Sequence, residues 1–422
     1  MERSGKDGLH AECDFDNKKG ETYDFTLESG FVSLQNVSYA CKTEGDRIQA
    51  DTFMYFDGGE YTIETAGGTG SDEGFVSYSA ANMEAYGLEA DDFRYIKSGG
   101  SYKKVADDYN GNISSRYALK QSSKGVKAGE IDYDTDGDDE DDATITENTL
   151  YSILVQSGEF VFDCADDAVH CNGGNLYVNG GTLTIDTLDD GLTSDLLTEV
   201  KGGNVNVKSS YEGIEGAYVN ISGGEIRVNS SDDGINAAGD DTSIKEYISV
   251  SGGSVTVYAE GDGLDSNGSI LMTGGTVIVH GPTSGADGAL DADSGIIVQG
   301  GTLYAAGSLG MVETPSTNST QYVLSYAQSG AIAAGTALSI QNADGEEIFS
   351  VTAEKNCQSV IVSLPAFASG ETYKIYADGS LLTSFTISGI ITSVSTSGGV
   401  GGGDFRPGGV GGAGENRPGG GR

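Results

Sequence analysis

Between Phe160 and Tyr304, apolar and polar residues alternate with a period of two in short β-branched runs. Leu176 and Val178 precede a glycine pair, and Leu183 and Ile185 follow it. Val205 and Val207, Ile226 and Val228, Val255 and Val257, and Val277 and Val279 continue the pattern. Such alternation predicts strand, and no window of the region carries the i, i+3, i+4 spacing of a helix. Glycine pairs punctuate the runs at Gly180-Gly181, Gly202-Gly203, Gly223-Gly224, Gly252-Gly253, Gly274-Gly275 and Gly300-Gly301, at intervals of 22, 21, 29, 22 and 26 residues. A near-fixed period with short strands and no helix predicts an all-β parallel β-helix, whose coils stack about 4.8 Å apart.

The repeats align on a turn made of an acid, a small residue and an aliphatic, as in Asp190-Gly191-Leu192 and Asp233-Gly234-Ile235. The aliphatic column runs Leu9, Ile48, Val126, Val169, Leu192, Ile214, Ile235, Leu264, Leu290. Two residues on, a small-residue column runs Ala11, Ala50, Ala128, Cys171, Ser194, Gly216, Ala237, Ser266, Ala292. Alternation puts both columns inside the coil and sends the residues between them outward. That outward row is polar throughout: His10, Gln49, Lys127, His170, Thr193, Glu215, Asn236, Asp265, Asp291.

Outside the regular run, the pattern predicts N-terminal coils over 1–64 and an inserted arm over 65–122, rich in tyrosine and lysine. The β-helix continues over 123–312, followed by a small antiparallel β unit over 313–392 and a flexible Gly/Arg-rich tail over 393–422. The β unit is expected to cover the open end of the stack. The 64 acidic and 23 basic residues give a formal charge of −41, which disfavours nucleic acid. No stretch is long and apolar enough for a transmembrane helix, and no signal peptide is visible, so any leader is expected upstream of this chain. The cysteines are few; Cys13 with Cys41, or Cys164 with Cys171, are open as pairs.

Candidate chemistry is acidic. Asp132, Asp134, Asp136, Asp138 and Glu140 alternate around Gly137 like the first half of a calcium loop, which supplies oxygen ligands to a hard cation. The turn column supplies Asp167, Asp190 and Asp233, with neighbours Asp166, Asp189 and Asp232, as further metal candidates. Stacked carboxylates about 5 Å apart repel by about 0.9 kcal/mol in water and roughly 3–4 kcal/mol at an effective dielectric near 20. The alternative is turn chemistry, each Asp accepting backbone N–H groups at a tight corner. Lys124 replaces the acid in the column and Lys127 lies in the outward row. Either could serve as a base that removes a proton alpha to a uronate carboxylate, provided that its pKa is depressed. His170, Glu215, Asn236 and Asp265 in the outward row, with Tyr102 and Tyr117 of the arm, are the candidate sugar contacts.

Asp167-Ala168-Val169-His170, Tyr211-Glu212-Gly213-Ile214-Glu215-Gly216 and Asp232-Asp233-Gly234-Ile235-Asn236-Ala237 resemble the turn motifs of a family of secreted bacterial carbohydrate-binding proteins. The resemblance implies a right-handed parallel β-helix, similar to polysaccharide lyases in fold, with bound Ca²⁺ and affinity for cellulose or acidic polygalacturonate-type glycans. It also implies an extracellular or cell-surface location. A plant polysaccharide is therefore the expected partner. A calcium-dependent pectate lyase and a structural protein associating end to end are the alternatives.

Overall fold

The computed structural model describes residues 3–4, 8–11, 21–23, 30–43, 45–46, 48–106, 109–129, 143–145, 151–239, 244–396 and 406–407. The acidic loop with Asp132, Asp134, Asp136, Asp138 and Glu140 lies outside them, as do Cys13 and most of the tail. The chain divides into a first unit ending at Ala217 and a second beginning at Tyr218.

The first unit is the expected parallel β-helix. Each full coil gives one strand to each of three parallel ladders. Three-residue strands include Ile48–Ala50, Val126–Ala128, Val169–Cys171 and Leu192–Ser194. A ladder of four to five residues holds Phe31–Gln35, Phe53–Asp57, Ser152–Val155, Asn175–Val178 and Leu197–Val200. Six-residue strands include Glu60–Thr65, Glu159–Cys164, Thr182–Thr187 and Asn204–Ser209. Register sets Val126 between Ile48 and Val169, and Ala128 between Ala50 and Cys171. The aliphatic and small columns therefore fill the coil, and Ile48, Val126, Val169 and Leu192 are buried. Burying each such side chain contributes about 1.5–3 kcal/mol. Tyr61 stacks on Phe160 at 4.4 Å between ring centroids, extending the ladder through aromatic contact.

The glycine pairs mark the corner between the second and third ladders. Gly203 has φ +88°, and a Cβ there would lie 2.6 Å from the Gly181 carbonyl oxygen of the preceding coil. Backbone packs on backbone at this corner, so a side chain has neither the conformation nor the room. Gly191 shows why the residue after the acid is small: a Cβ would meet the Gly213 carbonyl oxygen at 2.5 Å.

Between Thr65 and Val126 the inserted arm forms a four-stranded antiparallel sheet from Phe75–Ser77, Tyr95–Ser98, Ser101–Lys104 and Arg116–Leu119. A short helix, Ala80–Tyr86, is capped by the Ser79 hydroxyl at its start and by left-handed Gly87 at its end. Phe75, Tyr95 and Tyr102 pack with Ala66 and Ala165, which seats the arm on the stack.

The second unit continues the same plan with strands such as Ile235–Ala237, Tyr247–Val250, Ser254–Ala259 and Leu264–Ser266. Its last six-residue parallel strand, Thr302–Gly307, pairs antiparallel with Cys357–Ser363, which pairs with Val323–Ile332. An antiparallel sheet of Thr336–Gln341, Glu347–Ala353, Thr372–Ala377 and Ser380–Thr386 covers this extension around Tyr326, Ile340, Tyr373 and Phe385. The six-residue ladder therefore does not stop at the last coil: it runs on through Cys357–Ser363 and Val323–Ile332 to Ile391–Ser395, which pairs parallel with Val323–Ile332. Cys41 and Cys171 are free thiols, so neither open disulfide pairing is made. Among the described residues no helix is long and apolar enough to cross a membrane.

Candidate functional site

The acid column is first a device of the turn. The carboxylate of one coil accepts a hydrogen bond from the backbone N–H of the equivalent residue one coil on. Lys124 N donates to Asp46 Oδ1 at 2.7 Å, Asp190 N to Asp167 Oδ1 at 3.0 Å, and Glu212 N to Asp190 Oδ1 at 3.1 Å. In the second unit Asp262 N donates to Asp233 Oδ1 at 2.6 Å and Gly288 N to Asp262 Oδ1 at 2.5 Å. These bonds satisfy amide groups that the tight corner would otherwise leave unpaired.

Two places exceed that structural role. In the first unit, carboxylate oxygens of Asp166, Asp167 and Asp189 lie within 4.8 Å of one another. Two lysines already occupy this cluster. Lys124 is buried, with Nζ 3.3 Å from Asp166 Oδ1 and 2.5 Å from Asp167 Oδ2. Lys104, from the arm, pairs with Asp189 and holds its ammonium 4.7 Å from the Tyr211 ring centroid. Tyr95 adds a hydroxyl 3.4 Å from Asp189 Oδ2. Both lysines are thus internal counter-ions where a metal was expected over Asp166, Asp167, Asp189 and Asp190. The arm's lysines are visible in the sequence, but nothing there aims Lys104 at this column, because it lies outside the repeat.

The electrostatics of this cluster alternate. Burial would raise the Asp167 pKa, but Lys124, and then His170 with Nδ1 at 2.6 Å, hold it well below the carboxylate range. One coil on, burial and the charge of Asp189 push Asp190 well above that range. Neighbouring carboxylates are thereby driven toward different protonation states, which relieves the repulsion expected of a fully charged column. Burial disfavours the Lys124 charge, but Asp166 and Asp167 outweigh it and raise its pKa well above the ordinary lysine value. A raised pKa runs against a role as lyase base, which needs a depressed one. Lys127 points outward in register with Gln49 and His170.

In the second unit, Asp233, Asp262 and Asp265 bring carboxylate oxygens within 4.8 Å of one another. Asp265 is in register with Asp291 on the next strand, so a further carboxylate flanks the group. Burial, together with Asp265, Asp291 and Asp287, pushes Asp262 up to about 8. Glu313, which the repeat does not reveal, joins the row by accepting from Ala292 N at 2.8 Å. Burial and Asp291 raise it to about 8 as well. Ligands on one ion at 2.3–2.6 Å are at most about 5 Å apart, so the spacing of Asp233, Asp262 and Asp265 fits a shared hard cation. Asp232 lies beside them, half-buried, with its carbonyl accepting from Gly261 N.

The remaining candidates are dispersed. Glu215 accepts from Thr193 Oγ1 at 2.9 Å, and burial with the Glu212 charge raises its pKa well above the carboxylate range. Asn236 is buried and stands in register with Asp265, away from open solvent. Tyr102 is buried and stacks on Phe75 at 3.8 Å, with Tyr117 edge-on at 5.2 Å. Tyr102 belongs to the core of the arm and has no ring face left for a sugar, while half-buried Tyr117 packs against that core.

A family model described as carbohydrate-binding domain-containing protein matches residues 2–191 and 175–345. No curated protein and no solved structure matches the chain.

Proposed function

We propose a specific role for this chain, which belongs to the family of carbohydrate-binding domain-containing proteins: an extracellular, non-catalytic binder of plant cell-wall polysaccharide whose coils are held by Ca²⁺. The family match, which extends over most of the chain, carries the reading. Calcium is assigned to Asp233, Asp262 and Asp265, where three carboxylates converge and Asp291 and Asp287 add negative charge. A divalent ion there would offset repulsion that the first unit offsets with Lys104 and Lys124. It would also give an acidic glycan a point of attachment on a chain of formal charge −41. The firmly protonated Lys124 and its two aspartates favour binding over lyase chemistry at that turn.

The test is retention of the full chain on immobilised cellulose, xylan and polygalacturonate, with calcium and with chelator. Retention by at least one glycan is expected, and no retention by any of them in either condition would defeat the reading.

A further inference from the structure

The outer face of the four-to-five-residue ladder in the first unit carries an aromatic stripe that neither acidic cluster uses. Alternation turns Met54, Ile153 and Leu176 into the core. It sends Tyr55, Leu154 and Tyr177 outward in one register column, Tyr55 beside Leu154 and Leu154 beside Tyr177. Phe53 shares the face, in register with Phe31, which is 44% exposed. Strands in this ladder advance by about 4.8 Å per coil, close to the advance of one pyranose ring along an extended chain. The second unit presents similar chemistry on its own ladder, where Tyr218 and Tyr247 lie 4.8 Å apart between centroids.

Charge identifies the partner. The chain as a whole is strongly acidic, yet this face is nearly neutral. Lys201 pairs with Glu199 at 2.7 Å while its ammonium lies 5.6 Å from the Tyr177 ring centroid. Asp57 accepts from the Tyr55 hydroxyl at 3.3 Å and from Ser157 Oγ at 2.8 Å. A polyanionic glycan would approach against the field of the whole molecule, whereas an uncharged one would not. Flat rings with polar edges match the apolar faces and equatorial hydroxyls of a β-linked sugar chain.

We infer that this face binds an extended, uncharged β-linked polysaccharide, with Tyr55 and Tyr177 stacking on its rings. The inference rests on the carbohydrate-binding reading above and names its surface and glycan class.

Affinity electrophoresis of the full chain in hydroxyethyl cellulose and in polygalacturonate, with calcium present, tests it. Tyr55→Ala and Tyr177→Ala should each weaken binding to the cellulose derivative about five- to tenfold, while the Phe variants keep it. Binding to polygalacturonate should be unchanged, and thermal melting of each variant monitors folding. Cellulose-derivative binding that survives the double Ala variant overturns the inference, as does an equal loss for both glycans. Wild-type retention by polygalacturonate alone overturns it too, yet leaves the broader carbohydrate reading standing. Retention by neither overturns the inference as well, and the broader reading falls with it only if xylan also retains nothing, in calcium and in chelator.

Discussion

Replacing Lys124 with Met removes the positive charge between Asp166 and Asp167 and leaves a side chain of similar length. All three residues are buried, and the two ion-pair distances are 3.3 and 2.5 Å. Breaking a buried pair by removing one partner strands the other charge, at a cost of about 3–5 kcal/mol. The pH dependence makes the prediction specific. Asp167 is held below its ordinary value of 3.8, so its contribution is present above about pH 4 and lost as pH falls below that. In Lys124→Met the Lys124 part of that contribution is already absent and only that of His170 remains, so the variant has less to lose in acid. The Lys124 pKa is raised, so its side of the interaction persists through neutral and mildly alkaline pH. Equilibrium unfolding in denaturant at pH 7 and at pH 3 measures both values. A deficit of about 3–5 kcal/mol at pH 7 that shrinks by pH 3 is expected. A deficit below about 1 kcal/mol at pH 7, or one that grows in acid, would refute the counter-ion role.

Calcium should raise the melting temperature of the wild-type chain over that in chelator, by an amount corresponding to about 2.7 kcal/mol at a hundredfold excess over the dissociation constant. Asp262→Asn should abolish the increment, and an equal increment in both proteins would remove Asp262 from the site. His280 is stacked on Tyr258 at 4.8 Å, and its Nδ1 lies 3.4 Å from the Glu354 N–H. Burial lowers its pKa to about 4, so the unfolded chain binds the extra proton between about pH 6.5 and 4 and stability falls across that window as pH drops. His280→Gln should flatten that part of the stability profile, and an unchanged profile would exclude His280 as its source.

The repeat made most of the fold legible. Once the aliphatic and small columns were aligned, Ile48, Val126, Val169 and Leu192 had one arrangement that buried them all, and the ladders follow it. The glycine pairs were legible for a similar reason, since a residue such as Gly203 answers to a backbone contact that recurs in every coil. What the sequence concealed lies where the chain leaves the period. Lys104 reaches Asp189 from the arm, and Glu313 reaches Ala292 from beyond the last coil; neither has a column to betray it. Tyr102 was misleading because an aromatic in an irregular segment looks the same whether it fills a core or faces solvent. Alternation around Leu176 and Val178 sends Tyr177 outward from the sequence alone, but its shared column with Leu154 and Tyr55 exists only in the register of the ladder. The acid column is only half legible, for a different reason. Its period is visible, but whether each carboxylate meets an amide, a lysine or another carboxylate depends on the neighbouring coil.

The most direct test of carbohydrate binding is depletion of the full chain from solution by insoluble plant polysaccharides, measured as an isotherm in calcium and again in chelator. The account predicts saturable depletion by at least one polysaccharide, with no release of shortened or unsaturated sugar. Depletion indistinguishable from an inert support across the whole panel, in both conditions, would contradict it.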